Sequence, residues 1–191
     1  MSNAQVFELL HALRLPGVRE ELEHQLQHPE YSEMPLQDRL LRMLQAETER
    51  RYNNKIDRLM KAARFKYKAE PEEINYRQDR NLDKSEILAL LKCDWIKRYQ
   101  NILISGASGT GKTWLACALG VSAVRHEMGV RYVRASRLVE EVMYARLDGS
   151  IAKFRAKLFR LELLIIDDFS LSPMKKQELN DLFEMTCSPL S

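Results

Sequence analysis

The sequence predicts an α/β protein, with a helical N-terminal region followed by a three-layer domain built on a parallel sheet. Two textures carry that expectation. Up to about residue 100 the apolar residues recur at helical spacing; from Asn101 short, continuous apolar runs alternate with helical stretches. The third observation is a glycine-rich turn between the first of those runs and the helix that follows it.

The elements follow in order. Val6, Leu9, Leu10 and Leu13 stand at i, i+3, i+4 and i+7 and make one apolar helix face. Leu15-Pro16-Gly17 breaks that helix, and Val18, Leu22 and Leu26 mark the next. Residues 29–35 form a loop rich in breakers. Leu36, Leu40, Met43 and Leu44 open a long helix in which Tyr52, Ile56, Leu59, Met60 and Ala63 share a face, and Pro71 is expected to stop it. Residues 72–82 are polar and irregular; Asp83 and Glu86 then make a capping-box pattern ahead of Ile87, Leu88, Leu90 and Leu91. Residues 102–105 are expected as a short buried strand, 111–128 as a helix stopped by Gly129, and 130–134 as a second strand. A helix capped by Ser136 carries Leu138, Val139, Val142 and Met143, and 151–159 is helical. A third strand at 163–167 and a last helix at 174–185 complete the alternation. Trp95 is expected in the core. The implied organisation is a helical region at 1–70, a linker and helix at 71–100, and the α/β domain at 101–191.

With 191 residues, 45% hydrophobic and 30% charged, the chain is too apolar to be wholly disordered and too short for two full enzyme domains. No stretch approaches the ~18 apolar residues of a membrane span, and the N-terminus has neither a basic segment nor a long apolar one. No membrane partner and a cytoplasmic location are therefore expected. Cys93, Cys117 and Cys187 with four histidines match neither a disulfide framework nor zinc spacing. The net charge is only +3, yet residues 50–68 hold eight basic residues and one acid, Asp57. That segment reads either as a solvated helix face or as a surface for a polyanion. On the second reading Arg50, Arg51, Lys55, Arg58, Lys61 and Arg64, interleaved with Tyr52, Phe65 and Tyr67, contact DNA phosphates without regard to sequence.

The most specific signal is Gly106-Ala107-Ser108-Gly109-Thr110-Gly111-Lys112-Thr113, a G-x-x-x-x-G-K-[ST] loop between a strand and a helix. Its glycines let successive N–H groups converge on phosphate oxygens at a helix N-terminus. Lys112 supplies positive charge at the β- and γ-phosphates of ATP, and Thr113 offers a hydroxyl to Mg²⁺. Asp167 ends an apolar strand, where a carboxylate would stand beside the metal; Asp168 follows and could polarise the attacking water. Aspartate is one methylene shorter than the glutamate common at that place, which shortens its reach to a water.

Four stretches together resemble a known family: His11-Ala12-Leu13-Arg14-Leu15-Pro16-Gly17, Lys61-Ala62-Ala63-Arg64-Phe65, the 106–113 loop, and Leu163-Leu164-Ile165-Ile166-Asp167-Asp168-Phe169. The chain is similar to IstB, the AAA+ ATPases that help insertion-sequence transposases and are related to the DnaC helicase loaders, up to about Met185. The resemblance implies an AAA+ P-loop domain, ATP with Mg²⁺, non-specific DNA binding, a homo-oligomer when full length, and a cognate transposase as partner. It also implies a later strand, lying between the P-loop strand and the acidic strand and carrying a γ-phosphate sensor, with an arginine finger beyond it. Nothing after Met185 resembles these. The sheet is therefore expected to be incomplete, the chain to be C-terminally truncated, and ATP to be bound but barely hydrolysed. The alternatives are an inactive fragment that only binds DNA or a partner, and a DnaC-like helicase loader in replication.

Overall fold

The computed structural model describes residues 3–76 and 82–169. These fall into two compact units, Met1–Asp57 and Arg58–Ser191, and the division lies inside one long helix. The first unit contains α1 (Asn3–Ala12), α2 (Pro16–Gln27), a 3₁₀ turn (Pro29–Ser32) and the first part of α3 (Leu36–Ala63). Proline suits the start of α2, where its missing N–H has no helical partner to lose. Gly17 follows because nothing larger fits: a Cβ there would stand 2.7 Å from the Glu47 Cα of α3. The Gly17 N–H donates to Glu47 Oε2 at 2.7 Å, and Arg51 Nε donates to Oε1 at 2.7 Å. Burial pushes the Glu47 carboxyl up, but these bonds outweigh it and hold the group below the usual carboxylate range.

The second unit holds the end of α3, a 3₁₀ turn (Pro71–Glu73), α4 (Lys84–Leu91), α5 (Asp94–Lys97) and α6 (Lys112–Arg125). Then come β1 (Val130–Arg134), α7 (Ala135–Leu147), α8 (Ile151–Leu158) and β2 (Leu163–Asp167). The two strands pair in parallel, from Val130 opposite Leu163 to Arg134 opposite Asp167. Parallel neighbours need a crossover, and α7 and α8 provide it. Side chains alternate across the sheet. Tyr132 and Ile165 pack with Ile87 of α4 and with Cys117 and Ala118 of α6, joined by Ala69 and Ile74. Val133, Leu164 and Ile166 pack on the opposite side with Leu138 and Val142 of α7 and Leu158 of α8. Both faces are thus covered, which makes the three layers expected of an α/β domain. Trp95 is 9% exposed and donates its indole N–H to the Leu90 carbonyl at 2.9 Å, a core residue as expected.

Several local expectations need correction. Residues 102–105 are not a strand: among the described residues the only ladder joins β1 to β2, and without a neighbour Leu103 is 93% exposed. The third strand is present as β2, half-buried throughout, with β1 as its only ladder partner among the described residues. α3 ends at Ala63, well before Pro71, because Arg64 turns left-handed at φ 55°. Ser136 does not cap α7; it lies in the first turn, and Arg134 at the N-cap makes no side-chain bond there. Asp83 does cap α4, accepting from the N–H groups of Ser85 and Glu86 at 2.7 and 3.4 Å. The expected helix at 174–185 lies outside the described residues, as does Cys187. Among the described residues no helix is long and apolar enough to cross a membrane.

The close approach at Gly17 generates a test. A methyl group there meets three backbone atoms of α3, at 2.7 to 2.9 Å. Gly17→Ala is therefore predicted to lower unfolding stability by about 1–3 kcal/mol in urea titration, despite alanine's better helix propensity. An equal or higher midpoint would show that α2 and α3 separate without loss.

Candidate functional site

The site lies where the loop at 106–113, the start of α6 and the end of β2 meet. Gly109 and Gly111 take φ of 80° and 90°, a region costly to residues with a Cβ, so the loop can curl back over the helix it leads into. Thr110 Oγ1 donates to the Ala107 carbonyl at 2.9 Å. Lys112 opens α6 and folds across the loop, its Nζ donating to the carbonyls of Gly106 and Ala107 at 2.9 and 2.7 Å. Gly111 is the N-cap of α6 and contributes no side-chain bond, which leaves the first-turn N–H groups to an anion.

Thr113, one residue into α6, faces the end of β2. Its Oγ1 lies 3.1 Å from Oδ1 and 2.9 Å from Oδ2 of Asp167. A second hydroxyl reaches the same carboxylate: Tyr132 Oη of β1 donates to Oδ2 at 2.6 Å. Burial pushes the Asp167 carboxyl up, but the hydrogen bonds from Tyr132 and Thr113 outweigh it and keep the group below its usual range. Burial and the adjacent Asp167 charge push the Tyr132 phenol far above its usual value, so the tyrosine stays the donor and the aspartate the acceptor. Hydroxyl and carboxylate oxygens in one small space are the donor set that a hard divalent cation prefers.

Asp168 turns away from the strand at φ 56° and pairs with Arg134 of β1, Oδ2 to Nε at 3.6 Å. The loop, Lys112, Thr113 and Asp167 are therefore brought together, with Asp168 beside them and engaged by β1. The six basic candidates divide. Arg50 Nη1 lies 2.8 Å from both carboxylate oxygens of Glu20, and Arg51 is held by Glu47 and donates to the Arg14 carbonyl at 3.3 Å. Lys55 is half-buried, whereas Arg58 and Lys61 are exposed on α3. Arg64, also exposed, lines a cavity of about 410 Å³ with Arg131, Arg134 and Arg137 of the same unit. Tyr132 was not legible as a site residue, because no spacing rule links a mid-strand tyrosine to the acid of a strand that follows in sequence.

The second unit thus belongs to the P-loop nucleotide-binding class in its AAA+ form. Comparison with known sequences narrows this further. The chain belongs to the family described as IstB-like ATP binding protein, whose pattern residues 8–188 match. It is 36% identical over 186 residues to a protein of Pseudomonas fluorescens described as the ATP-binding protein of insertion sequence IS1162; that match spans 97% of this chain and 80% of the relative. An insertion-sequence ATP-binding protein of Sinorhizobium fredii is 35% identical over 176 residues, spanning 92% and 72%. The corresponding IS21 protein of Pseudomonas aeruginosa is 25% identical over 177 residues, spanning 93% and 67%.

Proposed function

We propose that the chain binds Mg·ATP at the 106–113 loop and uses the bound state to assist the transposase of an insertion sequence on cytoplasmic DNA. The observation that carries the nucleotide part is the Thr113–Asp167 contact, which joins the loop's helix to the acid at the strand end. Gly106, Ala107, Ser108, Gly109, Thr110 and Gly111 supply backbone around the phosphates. Lys112 exchanges the carbonyls of Gly106 and Ala107 for phosphate oxygens, a swap of neutral acceptors for charged ones. Thr113 and Asp167 hold the cation. Bound Mg²⁺ would supply charge neutralisation for the phosphates. Asp168 is the residue we assign to aligning an attacking water, for which it must leave Arg134.

The DNA part rests on charge. Arg58, Lys61 and Arg64 are exposed and suit phosphate contacts that are independent of sequence, whereas Arg50 and Arg51 already have carboxylate partners. The relatives' names, ATP-binding proteins of insertion sequences, support insertion-sequence mobility as the process; the partners we assign are the cognate transposase and further copies of this chain.

Lys112→Ala should weaken ATP binding at least tenfold, as expected for loss of a charge-assisted bond of about 1.5–3 kcal/mol, measured with a fluorescent analogue. Unchanged affinity would remove the loop from the nucleotide site. Neutralising Arg58, Lys61 and Arg64 together should flatten the plot of log DNA affinity against log salt by roughly two to three units. An unchanged slope would return these residues to an ordinary solvated face.

A further inference from the structure

We propose that Tyr132 is a positioning residue for the cation site, fixing Oδ2 of Asp167 so that Oδ1 is left for the metal. The inference rests on the reading that Thr113 and Asp167 hold Mg²⁺. Tyr132 is 8% exposed and its ring is packed among Cys117, Ala118 and Ile165, so the phenol has little freedom to move. It stands opposite Ile165 in the ladder, and its hydroxyl extends along the same face to Asp167, two residues further along β2. The bond is a short 2.6 Å, made to one oxygen only.

Thr113 cannot hold the carboxylate in this way. Its single hydroxyl proton is shared between two oxygens at 2.9 and 3.1 Å, and its own oxygen is the other proposed ligand. Tyr132 approaches from the neighbouring strand and takes no part in the loop. It can keep its bond while Thr113 and Oδ1 turn to a cation. Partners of this kind orient metal-binding groups, and their removal typically lowers metal affinity by roughly 10–100-fold.

The test separates the hydroxyl from the ring. Nucleotide affinity is measured with a fluorescent ATP analogue, without metal and across a Mg²⁺ titration, for the full chain and three variants. Tyr132→Phe should leave metal-free nucleotide binding near that of the parent and raise the Mg²⁺ midpoint about tenfold or more. Asp167→Asn should raise it at least as far. Ile165→Val, which loosens the same packing without touching the hydroxyl, should leave it in place. If Asp167→Asn shifts the midpoint and Tyr132→Phe does not, the positioning role is wrong while the cation site stands. If neither shifts it, the cation reading itself fails and the inference with it. A shift by Ile165→Val equal to that of Tyr132→Phe would assign the effect to packing and overturn the role of the hydroxyl.

Discussion

The half-buried carboxylate of Asp167 is the constraint around which the second unit is arranged. An acid at the end of an apolar strand would ordinarily be driven towards its neutral form by burial. Here two hydroxyls oppose that, Thr113 from α6 and Tyr132 from β1, and they hold the carboxyl below its usual range. Each comes from a different element, so the depressed value of Asp167 depends on α6, β1 and β2 being in register at once. The parallel pairing of β1 with β2 sets the reach of Tyr132. The glycines of the loop set the place at which α6 begins, and therefore the place of Thr113.

The chemistry of the loop follows from the same arrangement. Lys112 satisfies itself on two backbone carbonyls of the loop it closes. Those are neutral acceptors, weaker partners for an ammonium than phosphate oxygens, so on the proposed reading the contact would pre-shape the loop and yield to nucleotide. Asp168 is engaged differently, by Arg134 at the end of β1. Residues 132 and 134 lie on the same face of one strand, and each meets one of the two acids.

Much of this was legible in the sequence because the governing signals are local. The 106–113 loop, Thr113 and Asp167 stand out by spacing alone, and the β-branched segment after Gly129 and the apolar run at 163–167 mark the two strands. The rest depends on neighbours that local pattern does not reveal. Residues 102–105 have the composition of a strand, but a strand exists only where a ladder partner is available, and Leu103 faces outward. α3 has the periodicity to continue towards Pro71, yet Arg64 ends it by a left-handed turn that its residue type does not announce. Among the basic residues, Glu47 and Arg51 stand four apart on one helix, a pairing that spacing can suggest. Arg50 meets Glu20, far away in sequence, and only the fold shows that contact. Tyr132 falls in the same class, since its role arises from strand register.

The central claim is that Thr113 and Asp167 form a cation site coupled to a loop whose lysine moves to phosphate. The most direct measurement is a crystal structure with Mg²⁺ and a non-hydrolysable ATP analogue. The account predicts the cation on Thr113 Oγ1, with Asp167 bonded to it directly or through a bound water. It also predicts Lys112 Nζ on a phosphate oxygen and Tyr132 still on Oδ2 of Asp167. A nucleotide seated elsewhere, with Lys112 still on the Gly106 and Ala107 carbonyls, would contradict it.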